Sequence, residues 1–238
     1  MSSNRQPVTI TEPGLLSLLQ ISDSFFPTGA FAQSYGLETY VQEGLVTSKE
    51  TLVQFLTTYL LDSVATSDCL AMLLARRAAV KEELSAILEL DQILAAQKMA
   101  RESREASAKT GSRMLQAALR LFPSAWLDEF NRILRQGKTY GHHALVFGLV
   151  TQVIGLEEKE AALAFVYTTV SAMVNNAVRL VPLGQNDGQW ALAALRRVMQ
   201  EAVETSLSLD LDELGAAAPA LEIRSMQHER LYSRLFMS

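Results

Sequence analysis

The sequence predicts an all-α protein, a compact bundle of roughly eight to ten helices with two apolar helices at its centre. Helix-forming residues, above all Ala, Leu, Glu, Gln and Arg, dominate the chain. Alternating Val/Ile/Thr runs bounded by Gly or Asn, which are typical of strands, are missing. Hydrophobic residues make up 49% and charged residues 20% of the 238 residues, an ordinary globular balance. We therefore expect a single domain, residues 1–238, with a flexible N-terminal segment and a C-terminal interaction helix.

The first elements are short and are separated by turn residues. A leucine-rich stretch predicts a helix that ends at the breaker-rich segment 22–29. A second helix is predicted from about Ala30 to Glu43, with Gly44 as its C-terminal cap. Thr47 and Glu50 have the spacing of a capping box, so a third helix is expected to begin there.

The middle of the chain, from Leu52 to Leu121, is almost continuously helical and predicts three or four helices. Breaks between them are expected near residues 63–67, 79–84 and 99–103, and Phe122-Pro123-Ser124 ends the region. Small residues line one side of the last of these helices and permit close helix approach: Ser103, Ser107, Gly111 and Ser112.

Two strongly apolar helices follow, at about residues 142–154 and 157–178. Each is apolar around most of its circumference, which places both at the centre of the bundle. A further helix is predicted from Gly188 to about Ser206, with Asp187 as its N-cap, followed by a loop. The chain is expected to end in an amphipathic helix over residues 225–238.

Charge and composition exclude several classes of partner. The net charge of −5 gives no general attraction to nucleic acid or to anionic lipid. The N-terminus lacks the apolar core of a signal peptide, and the longest apolar runs are interrupted before the ~20 residues that span a bilayer. Cys69, the only cysteine, cannot form an internal disulfide and is expected to be a small buried hydrophobe. The sequence predicts a soluble cytoplasmic protein.

The search for chemistry is mostly negative. No phosphate-binding glycine loop and no Gly-x-Ser-x-Gly elbow occurs, so neither nucleotide binding by the chain itself nor catalytic residues are predicted. His142 and His143 are neighbours and diverge on a helix, which favours a structural role over metal ligation. For His228, beside Glu229, a solvated or interface position is favoured over a ligand. We predict no metal site and no tightly bound cofactor.

Two groups of residues stand out against this background, one polar and one apolar. Asn175, Asn176 and Arg179 end an apolar helix, and because unpaired burial of such groups is costly, they are either hydrogen-bonded internally or reserved for a partner. At the C-terminus, Leu231 and Leu235 form an apolar stripe that needs a partner surface. A chain terminus frays unless something ties it down, so we expect this edge to be loosely held.

Four segments, in this order, resemble the motifs of the urease accessory protein F family. They are Asp23-Ser24-x-Phe26-Pro27-Thr28-Gly29-x-Phe31-x-x-Ser34-Tyr35-Gly36-Leu37-Glu38, Gly141-His142-x-x-x-Val146-Phe147-Gly148, Asn175-Asn176-Ala177-Val178-Arg179-Leu180-x-Pro182-Leu183-Gly184-Gln185-x-x-Gly188-Gln189, and Ser225-Met226-x-His228-Glu229-x-Leu231-Tyr232-x-Arg234-Leu235-Phe236. No single segment is specific, but the four in sequence are. The resemblance covers nearly the whole chain, except for a stretch from about Lys81 to Ala100 that matches no motif.

The resemblance implies a homodimeric accessory protein that is not itself an enzyme. It would bridge a D/H-type accessory protein to a nickel-carrying GTPase of the G type, and the assembly would load nickel into apo-urease. Nickel would be handled by the complex. The candidate partner-binding residues are Ser34, Tyr35, Glu38, Asn175, Asn176, Arg179, Gln185, His228, Glu229, Arg230, Tyr232 and Arg234. Among them Tyr35, Arg179 and Arg234 are the leading anchors, because Tyr and Arg combine large contact area with directional hydrogen bonding.

Two alternatives remain open from the sequence. The protein could be a GTPase activator in which Arg179 enters the active site of the partner. It could also be an autonomous nickel carrier that binds the metal through His142, His143 or His228.

Overall fold

A computed structural model describes residues 11–29, 33–215, 218–232 and 234–236, and its helical architecture confirms the all-α class. Within these residues there are twelve α-helices: α1 Glu12–Ser22, α2 Leu37–Gln42, α3 Lys49–Tyr59, α4 Asp68–Val80, α5 Leu84–Gln97, α6 Arg101–Leu121, α7 Ala125–Arg135, α8 His143–Val153, α9 Glu158–Leu180, α10 Gln185–Ala194, α11 Arg196–Ser208 and α12 Pro219–His228. A π-helical turn, Leu60–Val64, extends α3, and a 3-10 turn, Leu211–Glu213, precedes α12. The helix count exceeds the prediction partly because the helix expected at 188–206 is two helices.

The short helix α2 begins seven residues later than the sequence suggested. Tyr35 and Gly36 both have positive φ angles, 48° and 83°, so the chain cannot be helical until Leu37. The predicted start at Ala30 lies outside the described residues. The predicted cap is confirmed, because Gly44 follows α2 with φ at 73°.

The capping box of α3 is shifted by one residue from its predicted place at Thr47 and Glu50. The Ser48 hydroxyl accepts from the Thr51 backbone N–H at 3.3 Å, and the Thr51 hydroxyl accepts from the Ser48 N–H at 3.0 Å. Because α3 begins at Lys49, Thr51 occupies the third helical position that the box requires.

The centre of the bundle is formed by α8, as predicted, and also by α4. Eight of the eleven residues of α8 are buried, and in α4 the run from Cys69 to Leu73 is completely buried. The two helices touch closely: a Cβ added to Gly148 would lie 2.4 Å from the Met72 carbonyl oxygen. The other predicted central helix, α9, is buried along one side and exposes Asn175 and Arg179 on another.

Two helical stretches are long and apolar enough to cross a membrane, by length and composition alone: residues 49–80 and α9. The first includes α3, the π-helical turn and α4. The sequence analysis expected every apolar run to fall short of this length, so it underestimated the length of both stretches. In the most apolar part of each, 61% and 56% of the residues are buried inside the fold, as is typical of the core helices of a soluble protein.

The last third of the chain differs most from the prediction. Asp187 is not an N-cap: it is the third residue of α10, and its carboxylate accepts from the Gly184 N–H at 3.1 Å. The C-terminal helix expected over 225–238 is α12, which begins at Pro219 and ends at His228. We call residues 229–232 and 234–236 the C-terminal tail. Its last described amides leave the helical pattern because they bond to a distant carboxylate.

Candidate partner-binding surface

That carboxylate belongs to Glu38 of α2, which is only 2% exposed. Glu38 accepts from the backbone N–H of Leu235 at 2.7 Å and from that of Phe236 at 3.1 Å. Its Oε2 also lies 3.0 Å from Nε2 of His228, the last residue of α12. One buried carboxylate therefore joins α2, α12 and the C-terminal tail. The tail is tied down, contrary to the expectation of a loosely held edge.

The His228 ring is completely buried and lies between two carboxylates. Its Nδ1 is 2.8 Å from Oε2 of Glu102, near the start of α6. The other oxygen of Glu102 accepts from the Arg234 guanidinium of the tail at 2.8 Å. We call Glu38, Glu102, His228 and Arg234 the tail clamp.

Further contacts hold α12 between α2 and α6. The Thr39 hydroxyl donates to the Arg224 carbonyl at 3.1 Å, and the Ala100 N–H donates to the Glu222 carboxylate at 3.1 Å. Gly36 permits the close approach of α2, because a Cβ at this position would lie 2.9 Å from the Ser225 hydroxyl. The motif residues Gly36 and Ser225 are thus packing partners.

The end of α9 reaches the same surface. The Arg179 guanidinium lies 5.6 Å from the centre of the Phe236 ring, within the range of a cation–π contact. The Asn176 amide is buried and donates to the Gln33 carbonyl at 2.6 Å, whereas Asn175 is exposed. The sequence left open whether these residues are bonded internally or reserved for a partner. In the fold, Asn176 is bonded internally, whereas Asn175 and Arg179 face outward.

The loop between α1 and α2 forms one side of a small, partly open pocket of about 80 Å³. Asp23 and Ser24 from the loop, His143 from α8 and Asn175 from α9 are among the residues that line it. Phe25 at the tip of the loop is almost fully exposed. The loop and the motif at the end of α9 are thereby brought together.

The twelve predicted partner-binding residues divide by exposure. Ser34, Glu38, Asn176 and His228 are buried in this conformation, and Tyr35 is partly buried, with its pKa raised by desolvation and by the charge of Asp68. Glu229 is partly exposed and accepts from Arg101 at 3.3 Å. The remaining residues face solvent: Asn175, Arg179, Gln185, Arg230, Tyr232 and Arg234. Gln185 begins α10 and takes no part in the tail clamp. A role in partner binding stays a prediction for all twelve.

Two carboxylates that hold distant parts of the chain in place were missed by the sequence analysis. Nothing in the sequence singles out Glu102, and only the fold shows that it faces His228 and Arg234. Asp91, in the stretch that matched no motif, is completely buried in α5. It accepts from the backbone N–H groups of Tyr140, Gly141 and His142 at 2.6, 2.9 and 3.1 Å, and from the Thr139 hydroxyl. The sequence signal that could have identified this carboxylate is its position among the apolar residues of α5.

The other two histidines and the cysteine are interior groups. Burial lowers the pKa of His142 and of His143 to about 4, so both rings are neutral near pH 7. The prediction for Cys69 is confirmed, because the thiol is buried and desolvation raises its pKa to about 12. In the described part of the chain, no group of three or more His, Cys, Asp or Glu side chains is arranged to hold a metal ion.

In the comparison with known proteins, a family profile and the individual relatives agree with each other. The sequence profile of the UreF family matches residues 46–196. The chain is 42% identical to the urease accessory protein UreF of Bacillus sp. (strain TB-90), over 94% of this chain and 99% of that protein. It is 44% identical to the urease accessory protein UreF of Actinobacillus pleuropneumoniae serotype 5b (strain L20), over 93% of this chain and 98% of the relative. The protein of the same name from Haemophilus influenzae is 40% identical over 93% and 94% of the two chains.

Proposed function

This chain belongs to the UreF family of urease accessory proteins, and we propose that it acts as a non-catalytic scaffold in urease maturation. As a urease accessory protein it supports maturation of the enzyme. In the proposed mechanism it works in the cytoplasm as a homodimer. It bridges a D/H-type accessory protein to a nickel-carrying GTPase of the G type, and nickel passes to apo-urease as the cargo of this assembly.

One observation carries the proposal: α2, α12, the C-terminal tail and the end of α9 form one continuous surface. The tail clamp joins the first three, and the Arg179–Phe236 contact adds the fourth. These segments come from both ends of the sequence, so the surface exists only in the folded chain. Such a composite surface suits recognition of a folded partner, because several elements must be in place at once.

The exposed side chains on this surface fit a protein interface. Tyr232 is fully exposed and Leu235 is largely exposed, and Arg179 and Arg230 lie on the same segments. Tyr and Arg dominate the binding energy of many interfaces because each combines a large contact area with directional polar groups. The tail therefore presents exposed side chains that can serve as anchors, while hydrogen bonds to the fold hold its backbone in place.

The test compares two double variants in co-purification with the D/H-type protein and the GTPase. Arg230→Ala with Tyr232→Ala removes two exposed side chains from the surface and should strongly weaken recovery of the D/H-type partner. The matched control, Tyr167→Ala with Arg197→Ala, removes the same residue types from exposed positions on α9 and α11. It should retain both partners. Equal recovery with the two variants would refute the proposed surface, as would full recovery after deletion of residues 231–238.

A second function, activation of the GTPase, is supported by the state of Arg179. The side chain is exposed, and among the described residues its recorded contact is with the Phe236 ring rather than with a carboxylate. An arginine supplied to a GTPase raises hydrolysis by about 10³–10⁵. Single-turnover GTP hydrolysis by the partner separates the two functions. A scaffold changes the rate little, whereas an activator raises it by orders of magnitude and loses the effect in Arg179→Ala.

A further inference from the structure

We propose that the second half of α6, α7 and the loop between α1 and α2 form a docking site for an acidic protein segment that carries an apolar side chain. The site is separate from the tail clamp. Glu102 of the clamp and Arg120 of the site belong to the same helix, and their positions are about 27 Å apart along its axis. The inference therefore does not depend on the partners proposed above, and the two surfaces can serve different partners.

The charge of this region is opposite to that of the whole chain. Residues 109–141 contain six Lys or Arg and two Asp or Glu, which gives a net charge of +4, whereas the whole chain carries −5. The remaining residues therefore carry −9. Such an uneven distribution creates a local positive potential, which attracts acidic partners and disfavours basic ones.

The fold gathers cations of this stretch on one face. Arg113, Gln116 and Arg120 are separated by three and four residues, so they share one side of α6. The Gln116 amide donates to the side-chain carbonyl of Asn131 in α7 at 2.8 Å. Arg135 comes four residues after Asn131 and therefore lies on the side of α7 that meets this side of α6.

The exposed cations are only partly neutralised within the fold. Lys109 pairs with Glu105 at 3.6 Å, and Arg132 pairs with Glu129 at 2.6 Å. Asp128 is exposed in the first turn of α7, where the helix dipole stabilises a carboxylate. Among the residues that the structure describes, no ion pair to a carboxylate is formed by the four other cations of the stretch, which are exposed: Arg113, Arg120, Arg135 and Lys138. Their charge is available to a partner.

An apolar groove lies beside these cations. Phe25 of the loop and Leu121 at the end of α6 are among the residues that line this open groove of about 550 Å³. Phe25 is 92% exposed and Leu121 is 45% exposed. Arg120 directly precedes Leu121, and the Arg113 guanidinium packs against the glycine that ends the loop, where a Cβ would collide with it. We call the groove and its cationic rim the basic groove, which comprises Phe25, Leu121, Arg113, Arg120, Arg135 and Lys138.

The chemistry of the basic groove favours a protein segment over a nucleic acid. Clusters of Arg recognise acidic motifs, and exposed apolar patches with a polar rim are typical of protein interfaces. Asp23 also lines the groove, and its carboxylate accepts from the Phe25 N–H at 2.6 Å. A phosphate beside Phe25 would meet this negative charge. An apolar side chain flanked by Asp or Glu can instead fill the groove while its carboxylates reach the cationic rim.

The experiment is fluorescence anisotropy of the full chain with a labelled peptide in which a Leu-Phe pair is flanked by glutamates on both sides. Binding at about 0.01 M salt should weaken by about tenfold at about 0.15 M, because the Debye length falls from about 30 Å to about 8 Å. Absence of binding at low salt, or binding that is independent of salt, would overturn the proposal.

Three matched probes identify what is recognised. Glutamines in place of the glutamates remove the charge, and alanines in place of Leu-Phe remove the apolar contact. Each change should weaken binding by at least about tenfold, the equivalent of about 1.4 kcal/mol. A single-stranded oligonucleotide of similar length is the third probe. If it bound more tightly than the acidic peptide, the surface would be a nucleic-acid site and the proposal would be wrong.

Charge-reversal variants locate the binding site. Arg113→Glu with Arg120→Glu should weaken binding of the acidic peptide by at least about tenfold, because like charges then face each other. The control, Arg196→Glu with Arg197→Glu, reverses two exposed charges on α11, outside the basic groove. It changes the net charge by the same amount and should retain binding. Equal losses in the two variants would show that only net charge is recognised.

A second pair keeps the test decisive if the first variant does not fold. Arg135→Glu with Lys138→Glu reverses the part of the rim that comes from α7 and the turn after it. Circular dichroism confirms that each variant has the helical content of the wild type. Wild-type affinity in every folded variant of the rim would overturn the proposed site.

Discussion

Asp91 and Glu38 are both buried carboxylates that organise backbone far away in the sequence, and they do so with different donors. Asp91 holds residues 139–142, between α7 and α8, through three backbone amides and one hydroxyl. We call this group the core clamp. Glu38 holds the C-terminal tail through two backbone amides and the His228 ring. The donors of the core clamp are backbone amides and a hydroxyl, whereas the tail clamp also includes a side-chain ring and a guanidinium.

The two clamps also differ in what their loss releases. The backbone held by Asp91 is connected to a helix on each side, so its displacement disturbs the packing of α6 against α8. The tail held by Glu38 is connected to the fold on one side only. The core clamp therefore contributes to global stability, whereas the tail clamp controls the local equilibrium between the docked and the undocked tail. The comparison makes four predictions, taken from the largest effect to the smallest.

Asp91→Ala should lower the free energy of unfolding by about 3–5 kcal/mol, because it leaves several buried donors without an acceptor. Urea denaturation followed by circular dichroism measures this. Asp91→Asn keeps one acceptor oxygen and should lie between Asp91→Ala and the wild type. A loss below about 1 kcal/mol for Asp91→Ala would show that the loop finds other partners and that the core clamp is not structural.

Global stability should fall as the pH is lowered from about 6.5 to about 4. The His142 and His143 rings have pKa values near 4 in the fold and near 6.5 in the unfolded chain, so the unfolded state binds more protons in this interval. Denaturation at several pH values measures the slope. His143→Phe, which replaces the ring beside Phe147 and Phe165, should remove about one proton from the slope. An unchanged slope would contradict the neutral state of this ring.

The architecture around the two clamps could be predicted from sequence only in part. The apolar pattern of α8 and the small side of α6 were predicted and are confirmed: a Cβ on Gly111 would lie 2.0 Å from the Gly141 carbonyl oxygen. The helix predicted to the C-terminus was wrong after His228. Leu231 and Leu235 have helical spacing, but the pattern contains no trace of Glu38, which competes for the tail amides from almost 200 residues away.

A cap formed by neighbouring residues could be predicted to within one residue, whereas hydrogen bonds between residues far apart in sequence could not be predicted. The capping box was predicted at Thr47 and Glu50 and found at Ser48 and Thr51, because several hydroxyls stand side by side at the start of α3. The partners of Asp91 lie about 50 residues away, so a single sequence shows only that a carboxylate interrupts an apolar helix face.

Glu38→Ala should destabilise the docked tail by about 1–3 kcal/mol while leaving the helical bundle folded, because two tail amides and His228 lose their shared acceptor. Exchange of the Leu235 and Phe236 amides should increase, and the urea midpoint of the bundle should change little. The informative contrast is with Asp91→Ala, where the midpoint moves and the whole core exchanges faster. Global unfolding of Glu38→Ala would remove the distinction between the two clamps.

Arg234→Ala should have the smallest effect on stability, below about 1 kcal/mol, because its guanidinium is 44% exposed and pairs with Glu102 at the surface. The unfolding midpoint should match that of the wild type, and exchange of the Leu235 amide should rise only slightly. This variant therefore separates stability from recognition. If Arg234 is an interface anchor, partner recovery falls although the tail remains docked. If partner recovery is unchanged, the arginine serves only to neutralise Glu102, and the anchors of the surface are the other exposed side chains.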